Sequence, residues 1–373
     1  MCAKAKELTG FIEELAPPIL SESWDNSGWQ VGDPCQDVER VMVTLDIDEQ
    51  VVEEAVQRGV QLLVSHHPMF MKGFKSLRLD TMPGRIVAKL IQHGVGSYAA
   101  HTNLDSAGGG VNDILAEKLG LRDARVLYAV QEEKYLKLVV FVPESHLENV
   151  MQALRSEGAG WIGNYSDCTF QLKGTGTFRP GEGTDPYIGS QGELERVEEV
   201  RLETILPTSE KARVVDAMVK AHPYEEVAYD LYPLALEGPK KGLGRVGNLN
   251  SPLLWPEFIQ LVKEALGVTS VRFGCDDKDA KVQRVAVCGG SGADLWPAAK
   301  AMGAQVLVTG DIKYHTAKDM MAAGLSFVDA GHYGTERIIV ASLAEYLRRC
   351  VNDRGIRVEV LESRRDYDPF QTA

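Results

Sequence analysis

The chain has no Cys-x-x-Cys pair, no block rich in lysine and arginine, and no apolar run approaching the length of a membrane span. Each absence narrows the chemistry. The six cysteines, Cys2, Cys35, Cys168, Cys275, Cys288 and Cys350, are scattered, as expected of reduced thiols in a cytoplasmic compartment. Any metal must therefore be held by histidines and carboxylates. Asp and Glu number 53 against 40 Lys and Arg, a formal net charge of -13, so the electrostatic footprint of a nucleic-acid binder is missing. The N-terminus passes from Met1, Cys2, Ala3 and Lys4 straight into an amphipathic helical pattern, Leu8, Phe11, Ile12 and Leu15, so no targeting segment and no membrane partner is expected.

What is present is ordinary in bulk: 373 residues, 44% hydrophobic and 25% charged, enough for two or three domains with proper cores. The informative stretch is SHHPMF, residues 65–70. It follows the apolar run Val60, Leu62, Leu63, Val64, a short buried strand that delivers His66 and His67 into a crevice. Consecutive side chains at a strand end diverge, so the two imidazoles either form a hydrogen-bonded structural pair or serve one each of two metals. Upstream, SESWDNSGWQVGDP places Asp25 and Asn26 where such residues most often make turns to the backbone.

A strand at 41–45 and a helix at 49–58 precede SHHP, giving a β-α-β unit of a parallel sheet. A helix at 83–93 and a strand at 95–100 follow, ending in HTNLD, with a further helix at 112–119. Loops leaving the C-terminal ends of parallel strands share one edge, so His101 and Asp105 can meet the SHHP loop. From about Tyr128 the grammar becomes strand 136–142, helix 145–157, strands 169–178 and 194–206, helix 209–221 and strand 227–234. This βαββαβ order is the ferredoxin-like pattern. FRPGEGTDPYIGSQGEL joins two of its strands and reads as a hairpin loop, and HPYEE, residues 222–226, as a helix-to-strand turn.

After a glycine-rich linker, EGPKKGLGRVG, the first grammar returns. Placing Arg40 on Arg284 without a gap gives eight identities in 25 residues, where composition alone gives about one or two. In this second copy TGDIKYH stands where SHHP stood, and the next strand, 325–330, ends in His332, Tyr333, Gly334, Thr335, Glu336. His101 precedes Asp105 by four residues, as His332 precedes Glu336. At the start of a helix such a pair lies one turn apart, near enough to share an ion. Facing halves would gather His66, His67, His101, Asp105, Asp311, His315, His332 and Glu336 in one crevice. That donor set suits Zn, Mn, Fe, Co or Ni better than a calcium cage, and two such ions acidify a water for hydrolysis. GGSGAD, residues 289–294, is either a tight β-α turn or an anion site at a helix start.

SHHPMF, AAHTNLDSAGGGVND, VTGDIKYH, DAGHYGTERI and SWDNSGWQVGD resemble, over essentially the whole chain, the Nif-three-like dinuclear metal-centre family, known as GTP cyclohydrolase 1 type 2 homologs. The resemblance implies an α/β core of two related halves, 1–128 and 239–373, interrupted at 129–238 by a ferredoxin-like insert similar to trimeric proteins of the PII and CutA type. It implies two divalent metal ions held by His66, His67, Asp105, His332 and Glu336, with His101 and His315 as general acid–base or substrate-orienting groups. Asp311 is either part of this pocket or a cap for the helix that follows. It further implies a homohexamer of two stacked trimers and hydrolysis of a purine nucleotide. The alternatives are a metal-binding assembly protein whose insert senses a small ligand or a partner, and a dinuclear hydrolase acting on a phosphoester or another small amide.

Overall fold

The computed structural model describes residues 3–73 and 75–371; Cys2 lies outside them. It is a mixed α/β structure in two compact units, one formed by Met1–Gln131 with Lys241–Ala373, the other by Glu132–Lys240. No helix among the described residues is long and apolar enough to cross a membrane, and Cys35, Cys168, Cys275, Cys288 and Cys350 are all free thiols.

The first unit contains two larger sheets. One runs Glu359–Glu362, Arg40–Thr44, Leu62–Ser65, Gly96–Ala99, all parallel, with Gly28–Val31 antiparallel on its edge. The other runs Arg272–Gly274, Ser326–Asp329, Val306–Thr309, Lys281–Val287, Lys240–Leu254, Arg122–Glu132, with its three middle strands parallel. Leu62–Ser65 and Val306–Thr309 are buried along their length, which is why they read as short unbroken apolar runs rather than alternating ones. The helix Glu49–Gln57 between the first two parallel strands starts where the Asp48 carboxylate accepts the Val51 amide at 2.8 Å, filling an orphan donor of the first turn.

The duplication extends to hydrogen bonds. Val41 stands opposite Leu62 and Val43 opposite Val64, as Val285 stands opposite Val306 and Val287 opposite Val308. Gln61 Oε1 accepts the amides of Glu39 and Arg40, and Gln305 Oε1 those of Gln283 and Arg284. Arg40 and Arg284 each reach the carbonyl before the helix-ending glycine, at Arg58 and Met302. Gly59 and Gly303 both take φ near the left-handed region, 62° and 76°. The same residues thus do the same backbone work in both copies.

Two expectations need correction. EGPKKGLGRVG is no linker, because its larger part opens the long strand Lys240–Leu254. Its glycines serve close approach rather than flexibility: a Cβ on Gly242 would lie 2.0 Å from the Tyr128 carbonyl oxygen. HTNLD is not an open loop either, since Thr102–Ser106 forms one helical turn. In the GGSGAD turn, the amides of Gly289, Gly290 and Gly292 donate to Asn112, Thr335 and Thr309 side chains, so the tight-turn reading holds and those donors are spent.

Buried Arg245 ties the two halves together: it pairs with Asp113 and donates to the carbonyls of Gly242, Gly244 and Ala107. Arg245→Ala leaves a carboxylate and three carbonyls without that donor, and is expected to cost on the order of 3–5 kcal/mol. Urea unfolding checks this, and a loss below about 1 kcal/mol, the level of an exposed ion pair, contradicts it.

The second unit has an antiparallel sheet in the order Tyr229–Leu234, Tyr135–Pro143, Glu195–Pro207, Thr169–Phe178. The helices Leu147–Ser156 and Lys211–Ala221 bury Val150, Leu154, Val214 and Met218 against Leu138, Val140, Leu202 and Leu206 of this sheet.

Candidate metal centre

The end of the strand Leu62–Ser65 is pinned by its neighbour: the His66 and His67 amides donate to the Thr44 and Leu45 carbonyls, and Ser65 Oγ to the His67 carbonyl. His66 and His67 therefore leave the sheet in fixed, divergent directions, their ring centres 5.0 Å apart. The turn Thr102–Ser106 presents Asp105. The turn His332–Glu336, entered through Gly331 at φ 82°, puts His332 Nε2 3.0 Å from Glu336 Oε2.

These side chains fall into two triangles that share one carboxylate. His67 Nε2 and His332 Nε2 are 3.3 Å apart, with Glu336 Oε2 2.9 Å from the first and 3.0 Å from the second. His66 Nε2 lies 3.6 Å from Asp105 Oδ1 and 3.8 Å from Glu336 Oε1. Glu336 thus offers one oxygen to each triangle. His101 extends the group, its ring 5.4 Å from His66 and 5.6 Å from His67. The His66, His67 and His101 donors form a third set within 4.8 Å of one another. His315 stands apart, exposed, with its ring against Tyr314, and it belongs to none of these sets.

Each imidazole in the cluster has its Nδ1 tied to an oxygen: His66 to the Ala100 carbonyl, His67 to Asp46, His101 to Asp25 and His332 to Asp311, at 2.7–2.8 Å. The Nδ1 proton is thereby fixed, and each Nε2 is left to face the centre, the arrangement that orients metal-ligating histidines. Asp46 is a residue that sequence reasoning missed, and Asp25 was read as a turn former. It is both, because it also accepts from the Asn26 amide, Ser27 and Thr102. Their only signal was position, at the strand-end edge that carries the histidines. Asp311 is not a helix cap: the next helix starts after Lys313, and the Asp311 carboxylate goes to His332 from a left-handed backbone, φ 53°.

The charges of the group act on one another. Burial opposes charge on Glu336, but the imidazoles of His332, His66 and His67 outweigh it and hold the carboxyl well below its usual range. Burial likewise opposes charge on His67, yet Asp46 and Glu336 push it up to about 10. The Glu336 hydrogen bond, against burial, raises His332 to about 9. Asp105 goes the other way, up to about 6, because burial dominates and the His66 charge only partly offsets it.

The residues fit a cation. Among the described residues, His66 Nε2 and Asp105 Oδ1 are buried and without a hydrogen-bond partner, a condition that costs roughly 1–3 kcal/mol per group unless something else satisfies it. Bonds of about 2.0–2.2 Å to nitrogen and oxygen place neighbouring ligands about 3–3.5 Å apart around a tetrahedral ion, close to the spacings found in both triangles.

The Duf34/NIF3 (NGG1p interacting factor 3) profile matches residues 3–369. The chain belongs to the NIF3 family. A relative in Halalkalibacterium halodurans called GTP cyclohydrolase 1 type 2 homolog is 45% identical over 368 residues, spanning 99% of this chain and 98% of its own. Its Bacillus subtilis counterpart of the same name is 43% identical over 365 residues, 98% of this chain and 97% of its own. Among solved structures, a Bacillus cereus protein related to NIF3 superposes with a TM-score of 0.93 at 43% identity, covering all of both chains. The family expectation drawn from the motifs therefore holds for this NIF3 protein along its length.

Proposed function

We propose that the cluster is a dinuclear centre of a metal-dependent hydrolase acting on a purine nucleotide. The observation that carries this reading is the division of the Glu336 carboxylate between two sets of donors. His67 and His332 would hold one divalent ion and His66 and Asp105 the other, with Glu336 offering an oxygen to each set; these imidazole and carboxylate donors suit Zn, Mn, Fe, Co or Ni. When bound, the ions supply an acidified water as nucleophile near neutral pH.

The chain's own residues supply orientation and protons. Asp25, Asp46 and Asp311 lock the imidazole rings. His101, held through Nδ1 by Asp25, is placed to give a proton from Nε2 to the nitrogen released when water adds to the imidazole carbon of the purine and the ring opens. A second addition of water to the resulting formamide releases formate. His315, exposed beside Tyr314, is the weaker choice for that proton and fits an orienting role at the rim. The relatives' name, GTP cyclohydrolase 1 type 2 homolog, supports GTP as the first substrate to try.

Two further parts of this reading rest on family resemblance. The inserted unit, with its βαββαβ chain order and 4-1-3-2 strand order, is read as ferredoxin-like, of the PII and CutA type. The chain is read as a homohexamer of two stacked trimers, which light scattering checks.

The test is a sample purified without chelator or affinity nickel, assayed for its metals, then loaded in turn with Zn, Mn, Fe and Co and given GTP. Formate release and a shifted ultraviolet spectrum are expected. Neither product with any of the four metals removes the nucleotide reading.

A further inference from the structure

The unit Glu132–Lys240 contains a cavity of about 400 Å³, within the range of small-molecule sites. Much of its lining comes from the two stretches assigned to a hairpin loop and a turn, closed by Phe141, Gly176 and Glu199 of the sheet. Phe141, Phe178, Tyr187 and Tyr224 provide aromatic walls, and Glu199, Glu225 and Glu226 provide the charge. The lining among the described residues includes no lysine, arginine or histidine, and none of the three glutamates makes an ion pair among those residues.

The wall is constructed rather than incidental. His222 is buried; its Nε2 donates to the Phe141 carbonyl and its Nδ1 accepts the Tyr224 amide, which fixes the ring in its neutral form. The Tyr224 hydroxyl in turn donates to Glu199 Oε1 at 3.0 Å. The other Glu199 oxygen lies across Gly176, where a Cβ would come within 2.1 Å of it. Phe178 and Tyr187 lie tilted against Tyr224 at ring separations of 6.0 and 6.3 Å. Thr169–Phe178, the turn after Lys211–Ala221 and the loop carrying Tyr187 are thus held around one carboxylate.

Glu199 is half-buried among these rings and Glu225 and Glu226 stand exposed at the rim, so the negative charge, with no cation in the lining, selects a positive ligand. A cation is drawn to the faces of the rings and to the carboxylates at once, whereas a neutral molecule leaves the carboxylates uncompensated and an anion is repelled. We infer that this cavity binds a planar organic cation, an amidinium or guanidinium carried on a flat apolar body, with Glu199 as its partner. The inference is independent of the metal-centre reading, because no residue of that centre takes part.

Benzamidine is the probe, with benzamide as its neutral isostere and benzoate as its anionic one, each titrated calorimetrically into the full-length protein. Benzamidine is expected to bind at least about tenfold more tightly than benzamide, as loss of a charge-assisted contact predicts, and benzoate not at all. Glu199→Gln is expected to remove that preference. Equal binding of benzamidine and benzamide, no binding of benzamidine, or an unaltered preference in Glu199→Gln overturns the assignment. The ligand comparison needs no variant, so a folding defect in a mutant leaves the test intact.

Discussion

Replacing Glu336 by glutamine is expected to abolish both metal equivalents rather than one. The carboxylate places Oε2 2.9 Å from His67 Nε2 and 3.0 Å from His332 Nε2, and Oε1 3.8 Å from His66 Nε2. An amide keeps the shape but turns one of these oxygens into a donor and removes the charge that both ions share. His332→Ala, by contrast, takes a donor from one triangle only, and one equivalent should survive. Asp46→Asn leaves all five proposed ligands in place and disturbs only the orientation of His67, so both equivalents remain with affinity lowered by about 10- to 100-fold. Metal analysis of the three purified variants separates these outcomes. A Glu336→Gln protein that keeps two equivalents is incompatible with a shared carboxylate.

The parts legible in the sequence were those fixed by short-range pattern. The buried strands read as unbroken apolar runs, and the copy of Arg40–Thr44 and Leu62–Ser65 in Lys281–Val287 and Val306–Thr309 could be aligned residue by residue because the same pairing register is reused. His66, His67, Asp105, His332 and Glu336 stood among eight candidates because imidazoles and carboxylates recur at strand ends in both copies, now the ends of two sheets, and the family resemblance singled out these five. The illegible parts depend on contacts distant in the chain. Asp25 reaches His101 across 76 positions and Asp46 reaches His67 across 21, and an aspartate in a loop carries no mark of which partner it will find. The start of Lys240–Leu254 passed for part of a linker because its glycines answer to the Tyr128 carbonyl and the Leu127 side chain, neighbours the local sequence does not announce. HPYEE is a turn, as read, but the cavity it lines exists only once three separate segments close around Glu199.

Metal binding at pH 7.5 is expected to release protons, and its apparent affinity to rise with pH. Without metal, burial disfavours charge on His67, but Asp46 and Glu336 push it up to about 10, and the Glu336 hydrogen bond raises His332 to about 9, so both rings are protonated at pH 7.5. A metal needs the neutral Nε2, so each ion that takes such a ring displaces a proton, and affinity gains about tenfold per pH unit for each proton displaced. The sign for stability follows from the same shifts. A histidine raised above its unfolded value of about 6.5 contributes stability that is complete below that pH and lost as pH climbs through its folded value. Metal-free protein should therefore lose stability between pH 6.5 and about 10, while at fixed metal concentration the ligand-linked gain grows across the range in which the imidazoles give up their protons. Calorimetric titration of zinc in two buffers of different ionisation enthalpy reads the proton release, and melting of metal-free and zinc-loaded samples against pH reads the opposing slopes. Binding enthalpies that do not depend on the buffer, or a metal-free melting temperature that stays flat from pH 6.5 to 10, would show that Glu336 does not hold protonated imidazoles in the empty centre.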